Sequence, residues 1–250
     1  MAARCAVALV ACLLVFTESA AMRGPDEVEM VLVPGGEFLM GADDQESDDD
    51  ERPPGRVFVG PFWIDRVEVT NGRYRRCMEA GGCTPPLGGA IDDPARAEHP
   101  VVVISWRQAV TYCAWTGKRL PTEAEWEKAA RGVDGRRYPW GDRFDPGRAN
   151  AGYTAGLAPV GHYPAGASPS GVLDMAGNVW EWTSSLYRAY PYDPADGRED
   201  LEARGARVNR GGSWYYGARH TRTTYRATAD HVYRRIGDLG FRCAAPAAGP

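Results

Sequence analysis

Six cysteines, four histidines and a dense run of carboxylates are the residues of this sequence with most scope for chemistry. His99, His162, His220 and His231 are widely separated and form no His-Glu-x-x-His pair, which argues against a zinc hydrolase of that design. Gly166-Ala167-Ser168-Pro169-Ser170 lacks the closing glycine that lets a nucleophile elbow turn its serine outward. The chain has no glycine-rich phosphate loop, no dinucleotide fingerprint and no Cys-x-x-Cys dithiol. The run Asp43-Asp44-Gln45-Glu46-Ser47-Asp48-Asp49-Asp50-Glu51 offers many oxygens, but it has no glycine of the EF-hand type and is closed by Pro53 and Pro54. It is expected to be a solvated, partly mobile loop.

What the cysteines can do depends on the first residues. Arg4 precedes an unbroken apolar run, Cys5 to Phe16, followed by small residues at Ser19 and Ala21. That is the pattern of a secretory signal peptide cleaved after Ala21, and the run is short for a bilayer span. Residues 1–21 are therefore expected to be removed, leaving residues 22–250 in a secreted or periplasmic location without a transmembrane helix. Leu9-Val10-Ala11-Cys12 also matches a lipidation box, which makes a lipid anchor the alternative. Cys5 and Cys12 go with the signal; Cys77, Cys83, Cys113 and Cys243 stay. An even number in an oxidising compartment points to disulfides, with three pairings open. The net charge of −4 argues against nucleic-acid binding.

The elements that must position these residues are short. Val28 to Met40 reads as strand, turn and strand around Pro34-Gly35-Gly36, and Val57 to Val69 is strand-like. A first helix is predicted from near Thr70 to Gly81-Gly82. A second has a capping box at Ser105 and Gln108 and ends at Gly117; a third has one at Thr122 and Glu125 and ends at Gly132. Beyond Gly132 the chain has no long helical period; Ala189 to Arg204 reads as an exposed loop and Arg207 to Ala245 as strand fragments. Glycine and proline make up 49 of 250 residues, which favours loops. One α+β domain results. Trp126, Trp140, Trp180 and Trp182 are expected in its core, each with an indole N–H to satisfy. Arg119 and Glu123 could be a buried ion pair or a surface pair.

Eight blocks, taken together and in order, resemble the sulfatase-modifying-factor family of formylglycine-generating enzymes. They are Met30–Gly41 (MVLVPGGEFLMG), Phe62–Asp65 with Glu68-Val69-Thr70-Asn71, Pro100–Trp106, Gly117–Glu127 (GKRLPTEAEWE), Tyr138-Pro139-Trp140-Gly141, Asp174–Trp182 (DMAGNVWEW), Arg210–Trp214 (RGGSW) and Gly240-Phe241-Arg242-Cys243. The likeness spans about residues 28–246. It implies the compact, loop-rich formylglycine-generating-enzyme fold, a variant of the C-type-lectin-like fold.

The resemblance also says what is missing. Formylglycine-generating enzymes oxidise a cysteine of a target sulfatase with two cysteines and copper, and soft thiolates suit Cu(I). In register after the Arg-Gly-Gly-Ser block, those positions hold Tyr216 and Thr221. Neither side chain replaces a thiolate, so formylglycine formation and copper are not expected, and no catalytic residue is assigned. The related sulfoxide synthases draw their iron ligands largely from an added helical domain with a histidine cluster, for which this chain has no counterpart. The family's calcium loop carries over to Asp174, the carbonyls of Gly177 and Val179, and Glu181, implying a structural Ca²⁺. A second ion at Asn150 and Ala151 is not expected, because the following loop is shortened. The family's pairing implies a Cys113–Cys243 bridge and leaves Cys77 with Cys83. The expected function is a binding or accessory module for a protein, peptide or glycan, with Trp214, Tyr215, Tyr216, Arg219, His220 and Arg222 as its surface. The alternative is an oxidoreductase of the same fold acting on a sulfur-containing substrate through a different site, such as His220 with Tyr216 or Arg219. A purely structural domain is the third class.

Overall fold

The computed structural model describes residues 22–23, 26–229 and 236–247; the expected signal peptide lies outside the described residues. The three predicted helices form where their capping residues place them. α1 (Asn71–Glu79) is capped by the Thr70 hydroxyl, which accepts from the Arg73 N–H. α2 (Trp106–Trp115) and α3 (Glu123–Arg131) each begin with a reciprocal capping box, Ser105 with Gln108 and Thr122 with Glu125.

Ten strands among the described residues surround them. β1 (Met22–Arg23), β2 (Glu29–Val33), β5 (Phe62–Asp65) and β10 (Ala244–Pro246) form one antiparallel sheet in the order β1-β2-β5-β10. β3 (Gly36–Met40) and β4 (Gly55–Val59) pair as a two-stranded ribbon. β6 (Trp180–Leu186), β7 (Arg207–Arg210), β8 (Ala227–Ala229) and β9 (Leu239–Gly240) form the third sheet, ordered β8-β7-β6-β9, with β9 parallel to β6. The architecture is the expected loop-rich α+β fold. No helix among the described residues is long and apolar enough to cross a membrane.

The core sits against α2, α3 and β6. Trp106, Trp126 and Trp182 are fully buried, and each indole N–H finds an acceptor: Thr183 O at 2.8 Å, Glu181 Oε2 at 2.9 Å and Ile104 O at 3.0 Å. Trp140 is only half-buried, stacked on Tyr138 at the surface. Both disulfides are formed, Cys77–Cys83 at the end of α1 and Cys113–Cys243 between α2 and the residues before β10.

Buried charge fastens the irregular parts together. Asp26 and Asp65 meet Arg73 and Lys118; Lys118 Nζ lies 2.8 Å from Asp26 and 2.9 Å from Asp65. Burial alone would raise the Asp26 pKa, but the Arg73 and Lys118 charges outweigh it and lower it to about 2. Arg119 does not pair with Glu123. Its partner is Glu125, with both contacts at 2.6 Å, while Glu123 is held at 2.6 Å by Arg226 and at 3.1 Å by Arg210. The 189–204 segment is not wholly exposed either: Tyr190 and Arg198 are buried.

The two disulfides should differ in worth. Bridging residues separated by 130 positions removes more unfolded-chain entropy than bridging a separation of 6. The chain-entropy model gives about 5 and about 2 kcal/mol respectively. Urea unfolding of Cys113→Ala/Cys243→Ala should show a clearly larger loss than Cys77→Ala/Cys83→Ala; equal losses would refute the assignment of their relative roles.

Candidate functional site

The segment after β7 makes a tight reversal. Gly211 and Gly212 have φ of 97° and 71°, and a Cβ on Gly212 would approach the His220 carbonyl oxygen to 2.8 Å. Only glycine lets residues 213–216 fold back on the 3₁₀ turn Ala218–Thr221. The 150–157 loop straps onto the same segment: the Gly152 N–H donates to Tyr216 O at 2.8 Å and the Thr154 N–H to Trp214 O at 3.2 Å.

An aromatic chain results. Tyr216 packs edge-on against Trp180, with centroids 5.4 Å apart, and lies 4.9 Å from His220, which lies 4.9 Å from Tyr225. Outward, Tyr215 contacts Tyr216 at 5.8 Å, Trp214 at 5.5 Å and Tyr153 at 5.3 Å. Tyr153 and Tyr215 are 70% and 53% exposed, so the outer end of the chain faces solvent. Burial, reinforced by the Arg219 guanidinium, pushes the His220 pKa below its ordinary value, and its buried Nδ1 has no hydrogen-bond partner. Thr221 is buried and its hydroxyl donates to Ala218 O at 3.0 Å.

Five of the six expected surface residues, Trp214, Tyr215, Tyr216, Arg219 and His220, are at least partly exposed on this face. Arg222 is the correction. Its side chain is inaccessible and grips Glu51 with contacts of 2.6 and 3.0 Å, because the 3₁₀ turn rotates it inward. The acidic run is corrected with it. It is ordered by arginines from distant parts of the chain: Asp44 pairs with Arg137, Asp48 with Arg219 and Glu51 with Arg222, while the Asp50 carbonyl accepts from Arg226. The run is a partly buried wall beside His220 and Tyr225, with Asp43, Gln45, Glu46 and Asp49 still exposed to solvent as expected.

On the other side of Trp214 lies a cleft of about 930 Å³, bounded by the 89–103 segment and the 150–157 loop. Arg96, His99 and Tyr163 line it, and none was singled out from sequence. The Asp93-Pro94 start of the turn before Arg96, an N-cap with proline at the first position, was the local signal that could have found that wall.

Of the implied calcium ligands, the Asp174 and Glu181 carboxyls both lie near Arg242, with a change of partners. Asp174 and Asn178 have φ of 58° and 60°, and a Cβ on Gly177 would come 2.3 Å from Asn150 O, so the loop is tightly turned. Asp174 Oδ2 accepts from the Gly161 N–H at 2.5 Å. Both Glu181 oxygens bind Arg242 at 2.7 Å. The carboxyl that meets Asp174 is Glu68, which was quoted in a sequence block without being assigned to the site. Glu68 Oε1 accepts from Asn178 Nδ2 at 3.0 Å, while its buried Oε2 has no hydrogen-bond donor among the described residues and the Glu68 carboxyl faces that of Asp174. Burial and the neighbouring Asp174 push the Glu68 pKa well up; burial raises that of Asp174. Three buried carboxylates thus face one guanidinium. An orphaned oxygen within such a charge excess suits a hard cation, with Asp174 and Glu68 as the available carboxylates. Asn150 is committed to Gly156, Asn178 and Thr154.

A family model described as the sulfatase-modifying factor enzyme 1-like domain matches residues 16–247. The inactive C-alpha-formylglycine-generating enzyme 2 of Bos taurus is 35% identical, covering 89% of this chain and 90% of that protein. The hercynine oxygenase of Mycolicibacterium smegmatis is 38% identical, covering 86% of this chain and 60% of that protein. Among solved structures, PvdO from Pseudomonas aeruginosa superposes with a TM-score of 0.76 at 28% identity, over 91% of this chain and 98% of that one.

Arg219 and Arg222 are three residues apart in sequence, yet they should behave oppositely on mutation. Arg222→Met strands the buried Glu51 carboxylate and should cost about 3–5 kcal/mol. Arg219→Ala loses an exposed pair with Asp48 and should cost about 1 kcal/mol or less. Urea midpoints measure both; a mild Arg222 variant would refute its structural role.

Proposed function

The chain belongs to the sulfatase-modifying factor enzyme 1-like family, and from that premise we propose that it is a non-redox member whose aromatic face holds a protein, peptide or glycan ligand outside the cytoplasm. The observation that carries this is the replacement of the thiol pair. Tyr216 is wedged between Trp180 and His220, Thr221 is buried, and all four cysteines of the described residues are in disulfides. No thiolate is left among them to bind Cu(I) or to exchange with a substrate cysteine. The bovine relative, itself an inactive C-alpha-formylglycine-generating enzyme, supports the same reading. Exposed Tyr153 and Tyr215 supply rigid amphipathic contact area of the kind that anchors interfaces. The two disulfides support an oxidising compartment.

A second reading, an oxidoreductase acting on a sulfur-containing substrate, is favoured by the likeness to hercynine oxygenase. Its weakness is chemical: among the described residues His220 is the one imidazole of the aromatic chain, and a lone imidazole is a poor iron site.

One experiment with two arms tests the binding reading. Mature protein supplied with copper and a reductant should leave the cysteine of a sulfatase-motif peptide unoxidised, as read by mass spectrometry. The immobilised protein should retain a ligand from the native extracellular or periplasmic fraction, and Tyr153→Ala/Tyr215→Ala should reduce retention about tenfold or more. Turnover of the peptide, or retention that ignores the double substitution, would overturn it.

The calcium reading is tested through stability. At calcium about a hundredfold above its dissociation constant, a ligand that binds only the folded state adds about 2.7 kcal/mol, or roughly 5–10 °C in Tm for a chain of this size. Chelation should lower Tm by that amount, calcium should restore it, and Asp174→Asn should abolish the response. A midpoint indifferent to chelation would remove the ion from the account.

A further inference from the structure

We propose that the cleft behind Trp214 is a site for a small organic anion, its charged group held at Arg96 beside His99 and its body lying on the apolar floor. The inference rests on reading this face as a ligand surface, and it narrows the ligand chemistry on one side of Trp214. The cleft's volume, about 930 Å³, lies within the range of about 300–1,000 Å³ typical of small-molecule sites.

Its charged wall is built rather than incidental. Asp93 caps the 3₁₀ turn Pro94–Arg96 by accepting from the Ala95 N–H at 2.9 Å. The carbonyl of Arg96 is pinned at 2.9 Å by Asn71 Nδ2 and at 3.0 Å by the His99 N–H. The backbone that carries the guanidinium is therefore fixed against the start of α1, while the guanidinium itself has no ion pair or hydrogen bond among the described residues. His99 stands close enough to feel that charge. Burial and Arg96 together push its pKa down, and its buried Nδ1 has no hydrogen-bond partner. Arg96 is exposed and His99 half-buried on the same wall, and Asp93, the carboxylate that His99 also feels, has one oxygen taken by the Ala95 N–H; the guanidinium fork is left to match the paired oxygens of a carboxylate or sulfate.

The rest of the cleft suits an organic body. Val102 and Val103 form part of its floor, and Val103 is held at φ 61°. A β-branched residue there is strained, and strain of that kind persists where the surroundings enforce it, commonly at ligand sites. Trp214 presents an aromatic wall whose indole N–H has no acceptor. Among the described residues Asp93 is the one carboxylate lining the cleft, and one of its oxygens is already occupied by the Ala95 N–H. Donors therefore exceed acceptors, which favours an acidic ligand over a basic one.

Carboxylate and sulfate ester share this chemistry, and titration calorimetry on the full mature chain separates them. Phenylacetate supplies the first and galactose 6-sulfate the second, with phenylacetamide and galactose as uncharged counterparts. The expected result is saturable binding of at least one of the two anions, with neither counterpart binding. Arg96→Ala should weaken it about tenfold or more, and Arg96→Lys by an intermediate factor, since lysine keeps the charge and loses the fork. Arg56→Ala, a loss of positive charge on exposed β4, should leave it unchanged. The Arg96→Ala variant should keep the wild-type urea midpoint, because the guanidinium has no partner to lose. Absence of saturable binding by both anions, equal affinity in Arg96→Ala, or equal binding of the uncharged compounds would overturn the proposal. Any of these would leave retention through Tyr153 and Tyr215 to be judged by its own assay.

Discussion

Arg242 is the side chain on which the rest of the architecture hangs. It is wholly buried, and its five N–H donors meet five acceptors: the two oxygens of Glu181 on β6, the carbonyls of Asp65 and Arg66 at the end of β5, and the carbonyl of Leu173 before the tight 174–178 loop. Glu181 in turn accepts from the Trp126 indole on α3. One guanidinium therefore fixes two sheets, a helix and a loop relative to one another. Burying such a pair is not itself a source of stability, because desolvation costs about as much as the attraction returns. Its value lies in direction: five donors in one plane accept only one arrangement of the elements around them.

The same device recurs throughout the molecule and explains how a chain with few ladders keeps its loops in order. Irregular backbone leaves carbonyls without strand or helix partners, and buried carbonyls must be satisfied. Arg207 caps the carbonyls of Ser184, Asp200, Leu201 and Ala203, and Arg210 those of Thr223, Thr224 and Tyr225. Arg198, Arg207, Arg210, Arg222 and Arg242 are all essentially inaccessible. Arg198, Arg210, Arg222 and Arg242 each also meet a carboxylate, whereas Arg207 is held by carbonyls alone among the described residues. Around Glu68 and Asp174 the carboxylates outnumber the guanidinium, which sets that corner apart from the balanced pairs elsewhere.

What could be read in the sequence follows the range of the interaction. The capping boxes at Ser105 and Thr122 and the glycine stop at Gly132 are local, and they marked α2 and α3 to within a residue or two. The ordered blocks identified the family and its fold, and with them the loss of the thiol pair at Tyr216 and Thr221. Interactions across long separations were not legible. Arg222 looked like a companion of Arg219, yet its partner Glu51 lies 171 positions away. The acidic run looked wholly solvated because most of the arginines that hold it, Arg137, Arg219, Arg222 and Arg226, are distant in sequence. Glu68 stood inside a quoted block without drawing notice, since its meeting with Asp174 exists only in three dimensions. Arg96 and His99 were passed over for the same reason: a turn that is polar in sequence becomes one wall of a cleft only when the 150–157 loop closes the other.

The bridge between Cys113 and Cys243 has a consequence for the order in which the molecule can be made. A chain grows from its N-terminus, so Cys77 and Cys83 are both present early and need close only a short loop. Cys113 must wait until nearly the whole domain has emerged before its partner exists. During that interval the early bridge takes up the two thiols with which Cys113 could otherwise be oxidised into a wrong pair. Pairing the two close cysteines first leaves one sulfur over for the last-arriving residue, so the separations of 6 and 130 positions by themselves favour the native pairing.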